Sequence, residues 1–155
     1  MRIVRATIDH LDALAPVFDA YRGFFTRASR ISESRSFLRE RLSNADSVVF
    51  LAQEGGNTIG FLQLYPLFSS WYCRRMWFLS DLYVLEDARG RGAASALVRQ
   101  ALEHAESTRA SSVMVELPKA EPKLYEFYTR LGFLRDGGFD LFRHVLGENG
   151  FRLRP

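Results

Sequence analysis

An apolar run, Leu82-Tyr83-Val84-Leu85, leads through a short polar stretch into Arg89-Gly90-Arg91-Gly92 and then into Ala93-Ala94-Ser95-Ala96-Leu97-Val98. Glycines where a loop enters a helix let successive backbone N–H groups converge on one point, and the positive end of the helix dipole adds to their pull. Arg89 and Arg91 flank that point and bring charge-assisted donors. The chemistry on offer is the cradling of a phosphate or pyrophosphate between Arg89 and Ser95. A carboxylate, Asp81, opens the same segment, alone among Trp77, Phe78, Leu79, Leu82 and Val84. A carboxylate in such surroundings needs a partner. Either it pairs with one of the many arginines or caps a backbone group, or it serves as a proton acceptor. Glu116, at the end of another expected strand, is a second candidate acceptor. His10, His104 and His144 are scattered without ligand spacing, so no metal site is expected. Cys73 is the only cysteine; it permits no internal disulfide and reads as a core or rim residue.

These groups need a scaffold, and the hydrophobic pattern supplies one. Ile3 to Ala6 reads as a strand. Thr7 or Asp9 caps a helix with apolar positions Leu11, Leu14, Ala15, Phe18 and Tyr21, which Pro16 weakens unless it lies in the first turns. Phe24, Phe25 and Ile31 are expected in the loop that follows, and a second helix begins near Ser32 or Ser34. Ser47 to Gln53 and Thr58 to about Tyr65 form a hairpin across Gly55-Gly56-Asn57, with Pro66 stopping or bending the return strand. Arg75 to Val84 is the third long strand and delivers Asp81. After the glycine turn, Ala94, Leu97, Val98, Ala101, Leu102 and Ala105 mark one helix face. Ser112 to Glu116 is a short buried strand in the βαβ arrangement that implies parallel pairing. Glu121-Pro122 opens a helix through Leu124, Phe127, Tyr128 and Leu131, ended by Gly132. Phe133-Leu134 and Phe139 to Leu146, across a Gly137-Gly138 turn, supply the last two strands. The expected order is β-α-α-β-β-β-α-β-α-β-β.

Composition bounds the answer. A chain of 155 residues with 13 phenylalanines encloses a real core and fits one globular domain, 1–155. Twenty-one basic against 18 acidic residues leave a net charge of +3, too mild and too mixed for a nucleic-acid partner. The amino terminus reads as a first strand rather than a signal peptide, and no apolar segment is long enough to span a bilayer. The expected location is cytoplasmic.

The segment Arg89-Gly90-Arg91-Gly92-Ala93-Ala94 resembles the mark of the GNAT superfamily of acetyl-CoA-dependent N-acetyltransferases, Arg/Gln-x-x-Gly-x-Gly/Ala after the fourth strand. Phe127-Tyr128-Thr129-Arg130-Leu131-Gly132-Phe133 is similar to its second mark, a tyrosine in an aromatic helix ending Leu-Gly-Phe. The likeness extends from about Ile3 to Leu146. Asp81-Leu82-Tyr83-Val84, with Phe68-Ser69-Ser70 ahead of Arg74-Arg75-Met76-Trp77, resembles small bacterial-type enzymes close to histone and polyamine acetyltransferases. The chain departs from the pattern at Glu121, where many members carry Asn, and at Glu86, where Pro is common.

The resemblance implies an α/β fold of the acyl-CoA N-acyltransferase type: a central mixed, mostly antiparallel sheet of six to seven strands, with about four helices on both faces. It implies acetyl-CoA as cosubstrate and no metal. Leu82, Tyr83 and Val84 would border the pantetheine arm, with backbone groups of Leu82 and Val84 pairing with it as with another strand. Arg89, Gly90, Arg91, Gly92, Ala93, Ala94 and Ser95 would hold the pyrophosphate, with Glu121 nearby. Tyr128 would be the general acid that protonates the departing thiolate, and Asp81 or Glu116 would take the amine's proton through water. Tyr21, Phe24, Phe25, Trp71, Tyr72 and Trp77 would build the acceptor pocket beside Asp81, Trp77 doubling as a core residue. A homodimer is expected, since relatives are often dimers, with a small-molecule or peptide amine as acceptor.

Rival readings differ in testable ways. A Rossmann dinucleotide site lacks its third glycine here, and three hairpin-linked strands are the wrong lead-in. A non-catalytic acyl-CoA-binding module would release no thiol on addition of an amine. A nucleic-acid-binding domain would show one basic face and steep salt dependence.

Overall fold

The computed structural model describes residues 1–26, 28–138, 141, 142 and 144. Strand β1 (Arg2–Arg5) is followed by a 3₁₀ turn (Ile8–His10), helix α1 (Leu11–Thr26) and helix α2 (Ile31–Asn44). Strands β2 (Val48–Glu54), β3 (Asn57–Ser69) and β4 (Arg74–Val84) come next, then a second 3₁₀ turn (Glu86–Ala88), helix α3 (Ala93–Ser107), strand β5 (Val113–Val115) and helix α4 (Pro122–Arg130). The sheet runs β1-β2-β3-β4-β5 in space as in sequence. Every neighbouring pair is antiparallel except β4 and β5, which are parallel across the α3 crossover.

Alternation along the strands sorts the core onto two faces. Val48, Phe50, Leu62, Leu64, Trp77 and Leu79 pack under Leu97, Val98, Ala101 and Ala105 of α3 and Tyr128 of α4. Val49, Leu51 and Phe61 pack against Leu11, Leu14, Val17 and Phe18 of α1 and Leu38 of α2. The mixed α/β sandwich with helices on both sides is thus the expected one.

Local departures have local reasons. Thr7 leads into the 3₁₀ turn rather than directly into α1, its backbone N–H donating to His10 Nδ1 at 3.1 Å. Pro16 lies inside α1. It removes the N–H that would bond the carbonyl of Asp12, and both residues are exposed on the solvent side of the helix. Phe24 and Phe25 are not in a loop but in the last turns of α1, and Ile31 opens α2. The cause is Asp19: its carboxylate accepts bonds from the Ser29 hydroxyl (2.5 Å), the Arg30 N–H (3.0 Å) and the Ser34 hydroxyl (2.8 Å). One helix therefore caps the start of the next from a distance, which shortens the link between them.

The β2–β3 hairpin closes through Gly55 (φ +56°) and Gly56 (φ +84°), the two-residue turn that needs left-handed backbone twice. Pro66 does not end the return strand. Pairing with β2 stops at Leu64, so at Pro66 that side of β3 needs no N–H donor, while pairing with β4 continues from Trp77 opposite Pro66 to Arg74 opposite Ser69. Phe133-Leu134 is not a strand; the backbone there is irregular. The strand expected over Phe139 to Leu146 lies outside the described residues except for Leu141, Phe142 and His144. Among the described residues the sheet has five strands, and no helix is long and apolar enough to cross a membrane.

Candidate functional site

Strand β4 changes phase in its middle. Gln63 faces Asp81 across the ladder, but the next residue, Leu64, faces Leu79, leaving Ser80 as the extra residue of a β-bulge. Before the bulge, Trp77 and Leu79 point to the α3 side. After it, Leu82 and Val84 take that side, and Asp81 and Tyr83 turn to the α1 side. Unbroken alternation would have put Asp81 into the core under α3, where its charge has no place.

The same phase change redirects the backbone. Ahead of the bulge, Trp77 donates its N–H to Ser112 (2.9 Å), and the Arg75 carbonyl accepts from Ser111 (2.7 Å), both toward β5. Pairing with β5 stops at Leu79 opposite Val115. From Ser80 to Val84 no strand among the described residues lies on that side of β4. Alternation gives this free edge the peptide groups of Leu82 and Val84, and the Val84 carbonyl accepts a bond from Arg89 Nε at 3.0 Å.

The free edge leads into a turn built for anions. Gly90 (φ +77°) and Gly92 (φ +82°) hold left-handed backbone, Gly92 as the residue that starts α3. A Cβ at either position would meet nothing within 4 Å, so glycine is required by conformation and not by crowding. The first helical bond runs from Ala96 N–H to the Gly92 carbonyl (3.0 Å), which leaves the N–H groups of Ala93, Ala94 and Ser95 without partners inside the helix. The first turn holds no acidic residue. Both flanking arginines are held by protein groups. Arg89 reaches Val84, lies 5.6 Å over the Tyr83 ring and sits 3.6 Å from Glu86. Arg91 pairs with Glu54 at 2.9 Å and donates to the Asp87 carbonyl. The converging donors are thus main-chain N–H groups, with the arginines bracing the turn.

Two phenols, Tyr21 and Tyr65, flank Asp81, and a third, Tyr128, acts electrostatically on Tyr21. Tyr21 of α1 donates its hydroxyl to Asp81 Oδ1 at 2.8 Å. Burial raises the Asp81 pKa above the ordinary carboxylate value, and bonds from Tyr21 and Ser80 only partly offset this. Burial, and then the charge of Asp81, drives the Tyr21 phenol far above its ordinary range. Tyr65 of β3 is pushed up to about 12, by burial first and by Asp81 second. Tyr128 of α4 is 5 % exposed, set edge-on between Phe127 (5.0 Å) and Phe133 (5.2 Å), and pushed up to about 12 by burial. Tyr128 belongs to the α3-side core, yet its charge would reach Tyr21 on the opposite face.

A cleft of about 440 Å³ opens above this group, lined by Phe18, Tyr21, Arg22, Glu33, Phe37 and Asp81. The arrangement can bind an extended ligand with peptide-like groups and an anionic end along β4 and α3. It can hold a cation at Asp81, and it keeps buried phenols protonated at neutral pH as proton donors.

The residues expected from the sequence are not all brought together. Tyr21 and Asp81 meet, and Phe25 stacks edge-on against Tyr21 at 5.2 Å with Phe24 beside it. Trp71 and Tyr72 lie elsewhere, lining a second cleft of about 600 Å³ with Arg74, Ala110 and Ser111. Trp77 is core, its indole N–H bonded to Thr108 at 2.9 Å. Glu116 is exposed one residue past β5 and is not among the residues lining the Asp81 cleft. Glu121 precedes α4 and is exposed. His104 is packed against Trp77 (4.9 Å) and Phe50 (5.8 Å), and burial lowers its pKa. Among the described residues no cluster of His, Cys, Asp and Glu is arranged for a metal. Sequence reasoning missed Tyr65, Arg22, Glu33 and Phe37. A signal existed for Tyr65, which shares the face of Phe61 and Gln63 by simple alternation; none existed for the α2 residues.

Known proteins resemble this chain in sequence and in fold. Residues 14–133 match the acetyltransferase (GNAT) family. An uncharacterized N-acetyltransferase of Bacillus subtilis, YhfO, is 37 % identical over 139 residues, covering 90 % of this chain and 93 % of its own. A probable acetyltransferase of Haemophilus influenzae is 30 % identical over 127 residues, covering 81 % and 87 %. Among solved structures, the crystal structure of a probable acetyltransferase aligns at a TM-score of 0.90 with 38 % identity, covering 96 % of this chain and 99 % of the other.

Proposed function

The chain belongs to the acetyltransferase (GNAT) family, and from that premise we propose that it moves the acetyl group of acetyl-CoA to a primary amine of a small molecule or peptide, by direct attack in a ternary complex. The observation that carries the proposal is the free edge of β4. It leaves the peptide groups of Leu82 and the N–H of Val84 without a strand partner among the described residues, the Val84 carbonyl being taken by Arg89, and it runs into the glycine turn with Asp81 at its start. An arm with amide groups suits that edge, and a diphosphate suits the N–H groups of Ala93, Ala94 and Ser95. When bound, acetyl-CoA supplies an activated acyl group and a thiolate leaving group.

The remaining chemistry belongs to the protein. A primary amine is mostly protonated at neutral pH and must lose a proton before it can attack. Asp81 draws the ammonium in and accepts its proton, directly or through one water; its raised pKa narrows the gap to the amine. Tyr128, kept protonated by burial, donates to the departing sulfur. Tyr128→Phe is expected to lower kcat about 100-fold or more, in the range of general acid catalysis, with acetyl-CoA binding retained. Thiol release and calorimetry measure the two effects; an unchanged kcat removes Tyr128 as the acid.

Residues 1–155 are read as one catalytic domain acting in the cytoplasm as a homodimer. Trp71 is 89 % exposed and Phe68 72 %, apolar surface of the kind a second copy covers. Light scattering at micromolar concentration should give twice the chain mass, and Trp71→Ala should shift it toward the monomer. A monomeric wild type would refute this part.

A further inference from the structure

We propose that the acceptor is a singly charged amine on a flat apolar body, an arylalkylamine in chemical class; this rests on reading the Asp81 cleft as the acceptor site. Three features of the cleft select it.

The first is the charge count. The cleft holds two carboxylates, but Glu33 is neutralised by Arg22 (2.9 Å) and Arg30 (3.1 Å). Asp81 at the inner end takes its bonds from hydroxyls, and among the described residues no cation bonds it. One negative charge is therefore left to meet one ammonium. A polyamine or aminoglycoside would bring further charges with no counterpart in the cleft.

The second is the state of Arg22. Its guanidinium is bonded to Glu33 and to the Ser34 hydroxyl at 2.9 Å, and Ser34 is in turn tied to Asp19. It is a strut joining α1 to α2, committed to the protein, and does not offer a fork to a substrate carboxylate. A free amino acid would bring its carboxylate toward Asp81 without compensation.

The third is the wall. Phe18 and Phe37 stack at 5.6 Å with their planes only 15° apart, and Tyr21 stands between Phe18 and Phe25. Phe37 is 37 % exposed at the rim, with the Arg41 guanidinium, itself paired to Glu40 and Asp46, 5.2 Å from its ring centre. Such a wall rewards a ring or flat hydrocarbon placed one short linker from the ammonium. The narrower kinship with polyamine acetyltransferases suggested by residues 68–84 is disfavoured by the same count of charges.

The test is thiol release by the full chain at saturating acetyl-CoA with 2-phenylethylamine, ethylamine, spermidine, phenylalanine and kanamycin. The expected result is a kcat/KM for 2-phenylethylamine at least tenfold above each of the others. Phe37→Ala should raise KM for 2-phenylethylamine about tenfold and for ethylamine less than twofold. Equal or better use of spermidine, phenylalanine or kanamycin overturns the proposal, as does an equal rise in both KM values. No turnover with any amine, while acetyl-CoA still raises Tm, also overturns it. Failure of acetyl-CoA to raise Tm at all would instead strike the underlying acetyltransferase reading, and the acceptor class with it.

Discussion

At the scale of single residues, the pair formed by Tyr21 and Asp81 decides what the cleft can do. A half-buried carboxylate drifts toward its neutral form, and the 2.8 Å bond from Tyr21 opposes that drift. Tyr21 thus acts on the reaction through Asp81 and is a positioning residue. Tyr21→Phe removes a donor that favours the charged carboxylate, so the Asp81 pKa rises further. The acid limb of the kcat/KM profile should move to higher pH in that variant, while KM for acetyl-CoA stays within twofold. A limb that does not move would assign Tyr21 to packing alone. Arg22 shows the complementary case: a charge that reads as a ligand contact in a list of residues is structural once its partners are known.

At the scale of elements, the strand–turn–helix unit from β4 to α3 depends on two backbone conformations. Gly92 at φ +82° has open space around it, so replacing it tests conformation and charge rather than collision. Gly92→Ala should cost about 1–2 kcal/mol for left-handed backbone while keeping the response to acetyl-CoA. Gly92→Asp adds a negative charge where the N–H groups of α3 converge, and should abolish that response with a similar loss of stability. The response itself should be about 2.7 kcal/mol at a ligand concentration 100 times Kd. Thermal shifts on the three proteins check this, and a full shift in Gly92→Asp would mean the diphosphate binds elsewhere. The bulge at Ser80 is the other hinge of the unit. It frees one edge of β4 and turns Asp81 to the cleft in a single step.

At the scale of the whole molecule, a buried carboxylate, Asp19, and a half-buried one, Asp81, tie stability to pH with opposite signs. Burial alone would raise the pKa of Asp19, but its bonds to Ser29, Ser34 and the Arg30 N–H outweigh that and hold it below its ordinary value of 3.8. Its contribution is present above that value and is lost as pH falls through the lower folded pKa. Asp81 is raised instead, by burial, so its contribution is full below 3.8 and is lost as pH rises through the folded pKa. At pH 7 the protein therefore carries a destabilising charge at the site. Asp81→Asn should raise Tm at pH 7, the gain shrinking as pH approaches 4, while turnover falls. Melting curves across that range test it; a lower Tm at pH 7 would show Asp81 to be a structural residue.

Much was legible from the chain alone. Gly55-Gly56 and Gly90-Arg91-Gly92 were readable because few residues adopt φ above zero, and the core face of α3 because helical spacing is regular. The parallel β4–β5 pair followed from the helix between them. These are local rules, written within a few residues. Tertiary structure decided the rest. It joined Tyr21 to Asp81 across 60 residues, took the cap of α2 from Asp19, kept Pro66 inside a strand, and sent Trp71 and Tyr72 to a different cleft. Each depends on the register of strands and the packing of distant faces, and a one-residue bulge is enough to invert which side chains meet.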